Sequence, residues 1–267
     1  MPYTEVAKEA GIDMSERTLR RLFETEGYHR RVARRKPFIT GINKVKRMDW
    51  GVRFGDWQAG EWEQVIFSDE SSFHCGNMPG RIVVTRRPGE EYQENCIVPK
   101  FPKQTSVMVW GAIIGTGQKS VLVFWDRSWG SVSGPSYCER VVGGAMQDFW
   151  QAESQRPGSG YIYIQQDNAP CHASAYTKNY MHQLGMKDFL LPWPASSPDM
   201  NPIEEIWRRM KMRIARRNPR PTKVVELRQA IQEEWDSITP DEVRSLVATM
   251  NARVQALLDA EGGHTKF

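Results

Sequence analysis

The stretch Tyr161–Trp207, YIYIQQDNAPCHASAYTKNYMHQLGMKDFLLPWPASSPDMNPIEEIW, limits the possible folds more than any other part of the chain. Tyr161–Gln165 is rich in β-branched and aromatic residues and predicts a buried strand that delivers Asp167 at its end. The DNAP that follows suits an Asx-turn, which accounts for Asp167 equally well on local grounds. A helix comes next, then a second short apolar strand, then PWPASSPDMNP, whose four prolines make it stiffer than a helix cap requires. Asn201, Pro202, Ile203 and Glu204 fit the N-cap, N1, N2 and N3 positions of another helix. Glu204 is therefore a capping-box residue, a ligand held at a rigid helix start, or both. Glu205 and Asp199 are its nearest competitors. Two carboxylates at two element ends, with basic residues following, suit metal-dependent phosphodiester chemistry.

A third carboxylate comes from QVIFSDESSFHCG, where Asp69 follows the apolar half-strand VIF and Gly76 closes the segment. Glu70 and Ser71 rank beside it. Arg81–Thr85 predicts a short strand ahead of the turn-rich RRPGEEY. Thr105–Ile114 and Ser120–Trp125 predict a hairpin around GTGQ, and Tyr137–Trp150 a helix. Beyond Glu204, the residues Ile203, Trp207, Met210 and Ile214 form an inward helical stripe. Arg209, Arg213, Arg216 and Arg220 fall on another face, which suits phosphate backbone or solvent. A helix from about Lys223 to Ser237 buries Leu227, Ile231 and Trp235. The capping box Thr239-Pro240-Asp241-Glu242 opens a last helix through Val243, Leu246, Val247, Met250, Val254 and Leu257. Strands alternating with helices imply α/β layers around a mixed sheet.

Residues 4–26 divide into two helical patterns, with Ser15 as N-cap of the second and Gly11 and Gly27 as stops. Val6, Ala7 and Ala10 supply one inner face, and Leu19, Leu22 and Phe23 the other. Arg17, Arg20 and Arg21 then project outward, the layout of a helix-turn-helix whose second helix enters a major groove. Residues 28–36 carry Arg30, Arg31, Arg34, Arg35 and Lys36, a basic linker suited to phosphate contact or nuclear import. From Ile39 to Glu63 the spacing predicts helix packed through Val45, Met48, Trp50, Trp57 and Trp62. A net charge of +4 is mild, so the clustering of charge, not its sum, points to nucleic acid. No apolar run approaches the roughly 18 residues of a membrane span, and MPYTEVAKEAG lacks a signal peptide's apolar core. The cysteines and histidines show neither a disulfide framework nor zinc-ligand spacing, which fits a reducing intracellular compartment.

SDES at 68–71, RRPGEEY at 86–92, SVMVWGAI at 106–113, QQDNAPCH at 165–172 and WPASSPDMNPIEEIW at 193–207 occur in the order and at about the spacings of the mariner-superfamily (mariner/pogo-like) DDE transposases. The chain resembles that family over nearly its whole length. The resemblance implies an α/β, ribonuclease H-like mixed sheet flanked by helices, with a small N-terminal helix-turn-helix remnant. The implied domains are 1–36, the DNA-binding unit with its basic linker, and 37–267, the catalytic domain. The implied activity is cut-and-paste transposition through an Asp, Asp, Glu triad carried by SDES, QQDN and NPIE, namely Asp69, Asp167 and Glu204. On that reading these residues hold two Mg²⁺ or Mn²⁺ ions flanking a scissile phosphate; Asn168 and His172 stand where they can orient ligands or phosphate, and a helix-start hydrogen bond accounts for His172 equally well. The implied partner is double-stranded DNA, bound as a homodimer with RRPGEEY as a clamp loop, in the nucleus, with no membrane and no small-molecule substrate. The chain departs from the family pattern at Thr85, Cys171 and Ala173, where other residues are more usual, and in two lengths. The 36 residues between Asp167 and Glu204 are a couple more than usual, with the excess expected around Gly185–Asp188. Only the second helix-turn-helix, without its first helix, has a counterpart at the N-terminus. The alternative is a decayed or domesticated transposase that only binds DNA; the intact triad opposes it and the short N-terminus favours it.

Overall fold

The computed structural model describes residues 3–29, 38–75 and 106–267. It divides into two compact units, Met1–Pro37 and Phe38–Phe267. Arg30, Arg31, Arg34, Arg35 and Lys36, together with Gly76, the Arg81–Thr85 strand and RRPGEEY, lie outside the described residues.

The first unit holds α1 (Tyr3–Glu9) and α2 (Glu16–Thr25). Ser15 caps α2 as expected, its hydroxyl accepting from the Thr18 N–H at 3.2 Å. Gly11 and Gly27 end the helices at φ 64° and 79°, conformations that glycine adopts without a Cβ penalty. The seam between the helices is narrower than the sequence pattern suggested. Ala7 and Leu19 are buried and Phe23 packs against them, whereas Ala10 and Leu22 are exposed. Two short helices have one contact line, and residues a third of a turn off it stay in water.

In the second unit, α3 (Gly41–Phe54) and α4 (Ala59–Glu63) precede β1 (Val65–His74). The helix expected across residues 39–63 breaks at Gly55. Its buried stripe is Arg47, Trp50, Gly51 and Phe54, spaced i, i+3, i+4, i+7. Val45 falls about 200° from Arg47 around the helix and is exposed, contrary to the expected packing.

The hairpin forms from β2 (Ser106–Ile114) and β3 (Val123–Trp125), and β4 (Tyr163–Gln165) follows. The sheet order is β3-β2-β1-β4. β1 pairs antiparallel with β2, with Asp69 opposite Gly111, and parallel with β4, with Phe67 opposite Gln165. The second apolar strand is reduced to one bridge, Ile164 to Leu190. The short 3₁₀ turn Lys187–Phe189 uses up the chain that would have lengthened it.

Side chains alternate across the sheet. Val65, Phe67, Phe73, Val107, Val109 and Ile113 enter one core with α3, α4, α9 (Ile203–Ala215), α10 (Val224–Asp236), α11 (Pro240–Val247) and α12 (Met250–Asp259). Ile66, Trp110, Ala112, Ile114, Ile162 and Ile164 enter the other. Its helices are α5 (Gly134–Tyr137), a π-helical run over Cys138–Met146, α6 (Gln147–Ser154), α7 (Pro170–Ala173) and α8 (Ala175–Gln183). The Thr239 capping box forms in full. The last predicted helix is two, α11 and α12, but every apolar residue assigned to it is buried. Among the described residues no helix is long and apolar enough to cross a membrane.

Candidate active site

Alternation along β1 separates two carboxylates that the sequence left equal. Asp69 has the parity of Phe67 and Phe73 and faces α9; Trp207 Nε1 donates to its Oδ2 at 3.0 Å. Glu70 faces the other layer, where its Oε1 lies 3.3 Å from His172 Nε2. These two atoms are within ion-pair distance but make no hydrogen bond.

Asp167 leaves β4 in the expected Asx-turn, with Oδ1 accepting from the Ala169 N–H at 2.9 Å. The same oxygen takes a 2.7 Å bond from His172 Nδ1, and the buried imidazole packs on Tyr137 with centroids 4.4 Å apart. Asn168 Nδ2 donates to the Trp193 carbonyl at 2.8 Å, tying the strand end to the proline-rich turn.

Glu204 lies in the first turn of α9, yet the capping box is absent. Asn201 Oδ1 accepts from the Ile203 N–H at 3.3 Å, and its Nδ2 reaches across to the Ser68 carbonyl at 3.1 Å. Asn201 therefore ties β1 to the start of α9, and Glu204 has no capping duty. The competing carboxylates are occupied: Asp199 by buried Arg47 at 2.7 Å, and Glu205 by Arg208 and Arg209 at 2.6 and 2.9 Å. The two arginines hold the Glu205 carboxyl down at about 2. Among the described residues, Asp69 and Glu204 have no cation within ion-pair distance.

Asp69, Asp167 and Glu204 line one cavity of about 380 Å³, with Asn168, Trp193, Ser196, Ser197 and Asn201 among its walls. Desolvation, then the charges of Glu204 and Glu70, push the Asp69 carboxyl well above its ordinary range. Burial also raises Glu204; Lys211 opposes the shift and Asp167 adds to it. The His172 hydrogen bond, against partial burial and with help from the Ala169 N–H, keeps Asp167 low and ionised. Burial pulls the His172 imidazole down, but Asp167 and Glu70 overcome this and raise it to about 10.

Such crowding of carboxyl oxygens is what a hard divalent cation offsets, so the donor set fits Mg²⁺ or Mn²⁺. The side chains surround the cavity without closing on a point; among the described residues no three His, Cys, Asp or Glu groups form a ready metal-binding cluster.

Two arginines of the expected basic face of α9 pair at the surface with the protein's own carboxylates. Arg209 meets Glu205 and Glu242, and Arg213 meets Glu242 and Glu234 at 3.3 and 4.0 Å. Arg216 is exposed. In the N-terminal unit Arg17 and Arg21 are exposed, while Arg20 pairs with Glu24 at 2.9 Å. Arg47, the tether from Asn201 to Ser68 and the donor role of Trp207 were not foreseen from sequence. The i, i+3, i+7 match of Arg47 with Trp50 and Phe54 was the one available signal for the first.

Comparison with known proteins agrees with this architecture. A sequence profile described as DDE superfamily endonuclease matches residues 64–228, and a helix-turn-helix profile described as transposase matches residues 3–54. The chain is 32% identical over 261 residues to the transposable element Tc1 transposase of Caenorhabditis elegans, covering 95% of this chain and 88% of that protein. It is 31% identical over 255 residues to the Tcb1 transposase of Caenorhabditis briggsae, with coverages of 95% and 88%. Among solved structures, the Mos1 mariner paired end complex with Mn aligns with a TM-score of 0.78 at 15% identity, over 100% of this chain and 76% of that one. The catalytic domain of Mos1 mariner transposase aligns at 0.63 and 12% identity, over 87% and 100%.

These structural matches establish the expected ribonuclease H-like fold. Fold and profile together define a DDE superfamily endonuclease. Within that superfamily the chain belongs to the Tc1/mariner family of transposases.

Proposed function

We propose that the cavity between β1, β4 and α9 is where this transposase cuts DNA strands at transposon ends and joins them to target DNA, with Asp69, Asp167 and Glu204 as ligands of two divalent ions, Mg²⁺ or Mn²⁺. One observation carries the assignment. Three carboxylates from distant chain segments line one cavity, and among the described residues two of them have no cationic partner while their sequence neighbours do. When bound, the ions supply the activation of water or a 3′-hydroxyl for in-line attack and the stabilisation of the leaving oxygen. The chain's own residues orient the ligands. Trp207 fixes one oxygen of Asp69, which leaves the other toward the cavity. His172 holds Asp167 by Oδ1 alone, so Oδ2 is free to ligate. Asn168 and Asn201 join the cavity walls contributed by β4, β1 and the α9 start.

Double-stranded DNA as partner, a homodimer in the DNA complex and action in the nucleus belong to the same reading. It draws support from the helix-turn-helix profile, from the paired-end assembly of Mos1 transposase with a transposon end, and from the basic run at 30–36. The test is Mn²⁺-dependent nicking of a labelled duplex by wild type and by Asp69→Asn, Asp167→Asn and Glu204→Gln. Wild type should cut and each variant should lose at least about a hundredfold in rate, roughly 2.7 kcal/mol of barrier. Equal cleavage by all four proteins sinks the assignment.

A further inference from the structure

We infer that Arg47 is a positioning residue for the metal site: from α3 it fixes the Ser196–Asp199 wall of the cavity and thereby the start of the helix that carries Glu204. The inference rests on the proposed triad and concerns a side chain that lies outside it.

Arg47 is fully buried and spends its guanidinium on two segments far from it in sequence, 196–199 and 262–263. Nη1 and Nη2 grip both Asp199 oxygens at 2.8 and 2.7 Å. Nη1 also donates to Ser197 Oγ at 2.7 Å and to the Ser196 carbonyl at 3.0 Å. Nε and Nη2 donate to the Gly262 and Gly263 carbonyls at 2.9 and 3.0 Å. Thr265 adds a 2.9 Å bond to Asp199 Oδ2, so the C-terminal segment braces the pair from behind.

The wall it grips is strained. Ser196 has a φ of 56°, a conformation that a residue with a Cβ keeps only where its surroundings enforce it. Both enforcing groups come from α3: Arg47 at the Ser196 carbonyl and Asn43 Nδ2 at Ser196 Oγ, 3.3 Å away. Ser196 and Ser197 line the cavity with Glu204. Five residues beyond Ser196, Asn201 ties the same segment to Ser68, next to Asp69. The wall is thus pinned at one end to α3 and at the other to β1, and Glu204 follows directly. A lysine at position 47 could reach one partner but not present a planar fork to all of them.

The test titrates Mn²⁺ into DNA-free protein by electron paramagnetic resonance, comparing wild type, Arg47→Lys, Asn43→Ala and Glu204→Gln, with circular dichroism to establish folding. Removing an outer support of a metal ligand typically weakens binding about tenfold or more. Arg47→Lys should therefore raise the half-saturating Mn²⁺ concentration about tenfold. Asn43→Ala loses one half-buried bond, is not expected to unfold, and should show a smaller rise. Adding Ser196→Gly to Arg47→Lys should recover part of the loss, because glycine takes the left-handed conformation without being held. A merely structural Arg47 would not respond to that addition. Unchanged Mn²⁺ affinity in folded Arg47→Lys and in Asn43→Ala, with Glu204→Gln weakened, overturns the positioning role alone. Unchanged affinity in Glu204→Gln as well overturns the metal-site reading on which it stands.

Discussion

Neutralising Asp69 should make the metal-free protein more stable. Its carboxyl is raised above the ordinary 3.8 by desolvation first, then by Glu204 and Glu70. Because the folded pKa exceeds the unfolded one, the folded state holds more proton on this group at any pH between the two values. Its favourable contribution is complete below about pH 3.8 and is lost as pH rises through the raised value. At pH 7.5 the raised value therefore burdens the fold by up to about 1.4 kcal/mol for each unit separating the two pKa values. Asp69→Asn removes that burden and keeps an oxygen for Trp207 Nε1. With EDTA at pH 7.5 the variant should melt higher than wild type by about 2–4 °C for each kcal/mol recovered. The gap should close as pH falls toward 4. Manganese should reverse the order: at a hundred times its Kd, wild type gains about 2.7 kcal/mol, and the variant, short of a ligand, gains much less. Calorimetric melts of both proteins with EDTA and with MnCl₂, at pH 7.5 and near pH 4.5, read all of this. A variant that melts below wild type in EDTA at pH 7.5, or equal manganese shifts in the two proteins, refutes the reasoning.

The Arg47–Asp199 pair is buried, so Asp199→Ala strands a guanidinium and should cost about 3–5 kcal/mol in urea unfolding. Glu205→Ala, whose arginine partners are solvated, should cost less than about 1 kcal/mol. His172, held at about 10, should keep its proton from pH 6 to 8.5, so its imidazole NMR shifts should stay flat there. The stability it lends is complete below 6.5 and is lost only as pH rises through about 10; a midpoint near 6.5 would contradict the Asp167 and Glu70 contacts. A Cβ on Gly115 would sit 2.5 Å from the backbone Cα of Glu63, so Gly115→Ala should lose about 1–3 kcal/mol in the same urea assay.

Local periodicity was legible in the amino-acid sequence because it follows from covalent spacing. The apolar run VIF assigned residues 65–67 to a strand leading to Asp69, and helical spacing assigned Ile203, Trp207, Met210 and Ile214 to an inward stripe. The Thr239 capping box lies within four consecutive residues and formed as expected. Carboxylates at element ends, and the ordered motifs around them, were visible for the same reason. What each carboxylate does was a different kind of question. Asp69 parts from Glu70 only because β1 lies between two layers, with Trp207 on one side and His172 on the other. Glu204 has no capping duty because the Asn201 backbone N–H is taken by the Pro198 carbonyl, while the Asn201 side-chain amide reaches Ser68, 133 positions away. Arg209 and Arg213, plausible DNA contacts in sequence, meet Glu242 from α11 across the fold. Arg47 drew no notice in the sequence, and it is Asp199, 152 positions on, that closes over it. Hydrogen-bond and ion-pair partners are chosen by proximity in three dimensions, and no spacing along the chain encodes that choice. The sequence by itself therefore determined most of the elements, much of their buried faces and the set of candidate acids, while tertiary packing alone decided which acids line one cavity and which of them, among the described residues, have no cation beside them.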